Sequence, residues 1–159
     1  METSLGVIVV ELFEKECPLT AANFIGYVKS GFYDGTIFHR VIPGFVAQGG
    51  GMLPGMKEKD GGAPIKNEAA KAPANVRGTL AMARTQDPDS ATSQFYINLR
   101  DNASLNYAGA ANPGYCAFGK VVEGLEVVDA MAAVPTGRRF PHSDVPKEDI
   151  LLISAAVVE

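Results

Sequence analysis

Arg40, Phe45 and Gln48 fall within one nine-residue stretch and offer three chemistries: a charged hydrogen-bond donor, an apolar ring, and a carboxamide that donates and accepts. Arg40 follows Phe38-His39 and precedes Val41-Ile42, a β-like run. Alternation along an unbroken strand places Phe38 and Arg40 on one face and His39 and Val41 on the other. Pro43-Gly44 then turns the chain before Phe45 and Gln48. A guanidinium, a phenyl ring and a carboxamide can therefore converge on one surface. The alternative, from spacing alone, is an arginine pointing outward from a half-buried strand.

Other chemistries find less support. His39 and His142 are the two histidines, so a Ser/His/Asp triad would have to use one of them. His39 sits among apolar strand residues and reads as structural; a hydrolase built on it needs a serine or carboxylate partner at motif spacing, and none is found. His142 lies in a Pro/Arg-rich loop and reads as solvated. Cys17 and Cys116 are not in a C-x-x-C spacing, which leaves zinc, thioredoxin-like chemistry and a disulfide framework unsupported. Gly49-Gly50-Gly51 runs into Met-Leu-Pro rather than Lys-Ser and a helix, so it is no phosphate loop. There is no G-x-S-x-G elbow. Neither a metal nor a cofactor is expected.

The elements that position these residues read as follows. The 159 residues suit one domain over 1–159, with 47% apolar and 20% charged residues, as in a globular protein. A net charge of −4 disfavours nucleic acid as a partner. No apolar run approaches the ~20 residues of a membrane helix. The polar, acidic opening Met1-Glu2-Thr3-Ser4 is unlike a secretory leader, so a cytoplasmic location is expected. Strands are predicted at 7–13, 36–41, 44–48, 80–83, 94–99, 117–122 and 150–158. Helices are predicted over 18–31, with Ala21, Phe24, Ile25 and Val28 as the apolar stripe and Gly31 as the stop, and over 125–134, with Leu125, Val128 and Ala132 on one face. Residues 49–64 read as a long surface loop. Many short strands and two distant helices, without βαβ alternation, point to an antiparallel, closed or nearly closed barrel.

The run Phe38-His39-Arg40-Val41-Ile42-Pro43-Gly44-Phe45-Val46-Ala47-Gln48-Gly49-Gly50 closely resembles the signature of the cyclophilins, the peptidyl-prolyl cis-trans isomerases. The likeness continues at Gly78–Ala83, Ser93–Ile97, Phe118–Gly124 and Val145–Asp149, and Met82–Gln86 and Pro64–Ala69 resemble the bacterial cytoplasmic branch. The resemblance implies an all-β fold, an eight-stranded closed antiparallel β-barrel capped by two α-helices. It implies Arg40 as the catalytic donor, with Gln48 and Phe45 beside it. Val46, Tyr96 and Leu105 would complete the proline pocket, Ala83 and Arg84 would meet the extended peptide, and Gln94 and Tyr115 would form the rim. Asn67-Glu68 reads as a loop anchor. Proline-containing peptides and unfolded or folding proteins are the implied partners of a monomer.

Two departures from the family matter. Ser104 stands where many cyclophilins carry tryptophan, so cyclosporin-type cyclic peptides are expected to bind weakly. The stretch ahead of Thr3-Ser4-Leu5-Gly6 is shorter than usual, which leaves open a first strand without its opening turn or a domain of a longer chain. The competing function is a proline-peptide binding or chaperone-like module with little turnover.

Overall fold

The computed structural model describes residues 1–158. The chain begins with β1 (Glu2–Thr3), β2 (Gly6–Val7) and β3 (Val9–Leu12), followed by α1 (Pro18–Lys29). Next come β4 (Thr36–Ile37), β5 (Arg40–Ile42), β6 (Val46–Gly49), β7 (Met52–Leu53) and β8 (Lys57–Glu58). After a long connection, β9 (Thr79–Met82), β10 (Phe95–Asn98), a 3-10 turn (Ala103–Leu105) and β11 (Ala117–Glu123) lead to α2 (Leu125–Ala132). The hairpin β12 (Thr136–Arg139) and β13 (His142–Pro146) and the strand β14 (Leu151–Ser154) complete a mostly β fold with two α-helices.

All strand pairs are antiparallel. One six-stranded ladder runs β2-β1-β14-β4-β7-β8, a second runs β3-β11-β9-β10-β6-β5, and β12-β13 stand as a pair. Among the described residues the ladders do not trace a single ring of eight strands. Two predicted strands are instead split between the ladders. The first breaks at buried Ile8, where β2 leaves off and β3 begins to pair with β11. The second breaks at Phe38-His39, between β4 and β5. The expected face-sharing of Phe38 and Arg40 therefore does not hold. Phe38 turns into the core, its ring 5.9 Å from that of Phe95, whereas Arg40 stays half-buried on the far side of β5.

The rest of the core explains α1. Phe24, on the predicted stripe, meets Tyr33 at 5.2 Å, Phe95 at 5.4 Å and Phe118 at 5.0 Å between ring centroids. Each such pair adds about 0.5–1.5 kcal/mol beyond simple burial. Ile25, on the edge of the stripe, is only half-buried. Pro18 opens the helix, and Gly31 follows its end with φ of 73°, a left-handed position that favours glycine. Cys17, at the N-cap, makes no capping bond. Glu68 does so from the loop: its carboxylate accepts the Thr20 N–H at 2.7 Å, the Leu19 N–H at 3.3 Å and the Thr20 hydroxyl at 2.7 Å. A negative group there satisfies orphan donors and the positive helix end. Asn67 donates to the Gly114 carbonyl at 3.0 Å, so the pair anchors the loop.

Other boundaries differ from the sequence reading. Residues 49–64 are not all loop, since β7 and β8 form a hairpin within them. Helix α2 buries Val127, Val128 and Met131, while Leu125 is 39% exposed; Gly124, at φ of 95°, starts the helix and turns Leu125 outward. Strand β14 stops at Ser154 because its partners, β1 and β4, are each two residues long. No helix among the described residues is long and apolar enough to cross a membrane.

Candidate active site

One row of residues crosses five strands of the second ladder. Ala117 of β11 lies opposite Ala81 of β9, Ala81 opposite Tyr96 of β10, Tyr96 opposite Gln48 of β6, and Gln48 opposite Arg40 of β5. Directly paired residues share a face of a sheet, so the register alone aligns all five. The row grades from apolar to charged.

Its apolar end is a small cluster separate from the main core. Val46, Ala81, Tyr96 and Ala117 form its buried floor, and Phe45, Ala83, Leu105 and Tyr115 pack half-buried around them. Six of these eight are expected site residues; Ala81 and Ala117 are not. The structure thus brings Phe45, Val46, Ala83, Tyr96, Leu105 and Tyr115 together.

The charged end is a chain of polar contacts. Arg40 Nη1 donates to Gln48 Oε1 at 3.3 Å, and Gln48 Nε2 donates to Gln94 Oε1 at 2.9 Å. The stem of Gln94 lies across Gly51, where a β-carbon would collide with its Cγ; only glycine lets the side chain lie there. Arg84 stacks its guanidinium 4.3 Å over the Tyr115 ring and donates to the Thr85 and Gly114 carbonyls, each at 2.8 Å. Its Nε is buried without a partner. Ala83 gives its N–H to the Gln94 carbonyl at 3.0 Å.

Beneath the patch lies a buried asparagine network that the sequence reading missed. The Tyr96 hydroxyl donates to Asn75 Oδ1 at 3.0 Å, and Asn98 donates to the same oxygen at 3.1 Å. Asn75 Nδ2 reaches the Leu105 carbonyl at 3.3 Å and the Tyr115 carbonyl at 3.1 Å. Asn102 donates to the Phe45 carbonyl at 3.0 Å and to Asn98 Oδ1 at 2.8 Å. Four residues of the patch are thus held from below, Tyr96 by its hydroxyl and Phe45, Leu105 and Tyr115 by their backbone carbonyls. Burial pushes the Tyr96 phenol well above its ordinary range, so it stays a neutral donor.

His39 takes no part. It is buried, its Nδ1 has no partner, and its pKa falls to about 4, first through burial and then through His142 and Arg40. It is a neutral structural imidazole at physiological pH. No group of three or more His, Cys, Asp or Glu side chains among the described residues is arranged to hold a metal. A cavity of about 560 Å³ lies elsewhere, between the N-terminal strands, α1 and residues 154–158, and shares no residue with the patch.

The family model described as cyclophilin type peptidyl-prolyl cis-trans isomerase matches residues 1–157. The chain belongs to the cyclophilins. It is 54% identical to peptidyl-prolyl cis-trans isomerase B of Escherichia coli, over 99% of this chain and 97% of that one. It is 51% identical to a peptidyl-prolyl cis-trans isomerase of Streptomyces antibioticus, over 99% and 96%. A crystal structure of a Cryptosporidium parvum cyclophilin type peptidyl-prolyl cis-trans isomerase, obtained in the presence of the dipeptide Ala-Pro, superposes with a TM-score of 0.83. That protein is 31% identical, with 97% of this chain and 94% of that one covered. The cyclophilin fold, mostly β with two helices, and the peptidyl-prolyl cis-trans isomerase activity follow from this membership.

Proposed function

We propose that this cyclophilin turns over X–Pro bonds without covalent chemistry, with Arg40 as the donor that stabilises the twisted amide. The observation that carries this reading is the five-strand row, which sets a guanidinium at one end of an apolar patch.

Rotation about an X–Pro bond costs about 18–20 kcal/mol because it breaks amide resonance. In the twisted state the prolyl nitrogen becomes pyramidal and its lone pair localises. A donor aimed at that nitrogen favours the twisted state over both planar ones, which is what lowers a barrier. Neither a nucleophile, a base, a metal nor a cofactor is needed. Phe45, Val46, Tyr96 and Leu105 grip the proline ring. Gln48 orients Arg40 through its carbonyl oxygen. Its amide nitrogen carries two hydrogens, one given to Gln94 and the other available for the substrate carbonyl. The Ala83 N–H is engaged by Gln94, so an extended peptide pairs there with the Ala83 carbonyl. Arg84, Gln94 and Tyr115 bound the groove.

The substrates are proline-containing peptides and unfolded or folding proteins, in keeping with the Ala-Pro present with the Cryptosporidium relative. We further infer one domain over 1–159, acting as a cytoplasmic monomer; both cysteines are free thiols, which suits a reducing compartment. The two six-stranded ladders are read as parts of one closed eight-stranded barrel capped by the two helices. In support, Leu152 of one ladder and Leu80, Ile97 and Phe118 of the other belong to one continuous buried cluster.

The test is prolyl exchange in an X–Pro peptide, measured by NMR with wild type and Arg40→Ala. Loss of a comparable electrostatic donor costs about 2.7–4 kcal/mol, or roughly 10²–10³ in rate. The half-buried Arg40 contributes little to the core, so circular dichroism should be unchanged. Near-normal turnover in the folded variant would overturn the mechanism. Tight peptide binding with negligible turnover in wild type would favour the binding-module reading.

A further inference from the structure

Cys17 and Cys116 stand 99 positions apart in the chain, yet their Sγ atoms are 3.4 Å apart. Cys17 immediately precedes α1 and Cys116 immediately precedes β11, so the contact joins the entry of a helix to the entry of a strand. Both are buried free thiols. To bond, the sulfurs must close from 3.4 Å to the ~2.05 Å of a disulfide.

The two are not equivalent. Cys116 lines a cavity of about 10 Å³ together with Thr20, Lys66, Asn67 and Arg84, and Cys17 does not. That is room for about one water. Hydrogen peroxide is little longer than water, whereas a glutathione-sized disulfide far exceeds that room. Lys66 and Arg84 contribute to the cavity wall beside apolar Ile65, Met82 and Ala91, while the nearby Glu68 carboxylate opposes ionisation of Cys116. The Cys116 thiol donates to Cys17 Sγ, and the Cys17 thiol to the Ala117 carbonyl at 3.5 Å. The contact with Cys17, helped by the Thr20 hydroxyl at 3.6 Å, eases ionisation of Cys116 against its burial; the same contact, with burial, pushes the Cys17 thiol up.

We propose that Cys116 and Cys17 form a peroxide-responsive redox pair, with Cys116 as the attacking sulfur and Cys17 as the resolving one. The Cys116 thiolate attacks one peroxide oxygen. The O–O bond breaks, an S–O bond forms, and hydroxide leaves and takes a proton to become water. The sulfur is oxidised to the sulfenic acid by two electrons, and the peroxide is reduced. The Cys17 sulfur then attacks the Cys116 sulfur. An S–S bond forms, the S–O bond breaks, and the departing hydroxide takes the Cys17 proton to leave as water. Overall, two thiols and one peroxide give one disulfide and two waters, and a dithiol reverses it. The site is independent of the Arg40 mechanism.

The test treats folded wild type with hydrogen peroxide, then counts thiols and maps peptides by mass spectrometry. Wild type should lose both thiols and form a Cys17–Cys116 linkage that dithiothreitol removes, with the circular dichroism of the fold retained. Glutathione disulfide at equal concentration should leave both thiols intact. Cys17→Ala should accumulate a sulfenic acid at Cys116, trapped by dimedone. Cys116→Ala should leave Cys17 unreacted. Two free thiols in folded wild type, under conditions that fully oxidise free glutathione, would overturn the proposal. So would sulfenic acid forming first on Cys17. The wild-type peptide map decides the matter even if a variant fails to fold.

Discussion

Arg40 and Gln48 face each other across the β5–β6 pair, and the arginine Nη1 donates to the glutamine Oε1 at 3.3 Å. The guanidinium is thus oriented by a carboxamide, itself held by a second carboxamide, Gln94, at 2.9 Å. A carboxylate partner would hold arginine more firmly but cancel its charge. A neutral partner orients the donor and leaves its field for the substrate.

Gln48→Leu is therefore expected to slow prolyl exchange about ten- to hundredfold, since hydrogen bonds to charged groups contribute about 1.5–3 kcal/mol. Gln94→Leu, one contact further from Arg40, should cost less. The comparison is made by NMR exchange on one X–Pro peptide. A larger loss in Gln94→Leu than in Gln48→Leu would reverse the assigned order of the contacts.

Asn75→Ala should destabilise the fold by about 2–4 kcal/mol, because it strands several buried polar groups at once. The Tyr96 hydroxyl and the Leu105 and Tyr115 carbonyls all lose a partner. Tyr96→Phe, which removes one of these bonds, should cost less. Urea midpoints of the two variants decide; equal midpoints would mean the network does not act as a unit.

His39 makes stability depend on pH. Its folded pKa of about 4 lies below the unfolded 6.5, chiefly through burial, with His142 and Arg40 adding repulsion. Between these values the unfolded chain binds the extra proton, so stability rises with pH through that window and is flat, for this group, above it. Acidification across the window should cost about 2–3 kcal/mol from His39 alone. His39→Gln should flatten that part of the curve relative to wild type in urea titrations at stepped pH. Identical slopes would show that His39 does not carry the effect.

Ser104 lies exposed in the 3-10 turn beside Leu105, and its side chain is too short to give the cover of a tryptophan ring. Cyclosporin-type peptides should bind weakly, and Ser104→Trp should tighten them by two or more decades. A hydrogen bond contributes about 0.5–1.5 kcal/mol, and buried apolar area about 25 cal/mol per Å². Peptide turnover should change less, because the pocket proper does not include residue 104. Inhibitor titration against both proteins checks this, and no gain in the tryptophan variant would shift attention to Tyr96 and Tyr115.

How much of this could be read from the chain depends on what kind of signal each part carries. Helix α1 was legible because Pro18, the stripe and Gly31 all agree. The Arg40–Gln48 stretch was legible by residue type and by resemblance. The breaks at Ile8 and Phe38-His39 were not, because β-branched and aromatic residues favour strand whichever ladder supplies the partner. Ala81 and Ala117 have no chemistry of their own; only the cross-strand register puts them in the floor of the patch. Asn75, Asn98 and Asn102 are residues of a type that ordinarily signals turns, and their burial beneath Tyr96 is visible only once β10 and its neighbours are assembled.

The pairing of β1 with β14, Glu2 opposite Ser154 and Thr3 opposite Leu152, has a consequence for vectorial synthesis. Glu2 and Ser154 are 152 positions apart, so β1 leaves the ribosome long before its partner. Throughout elongation the edge of β1 that β14 will cover stays unpaired, and such edges invite mispairing. The pairs β1-β2 and β4-β7-β8 can form earlier, but only when Leu152 has emerged can β14 join them into one ladder.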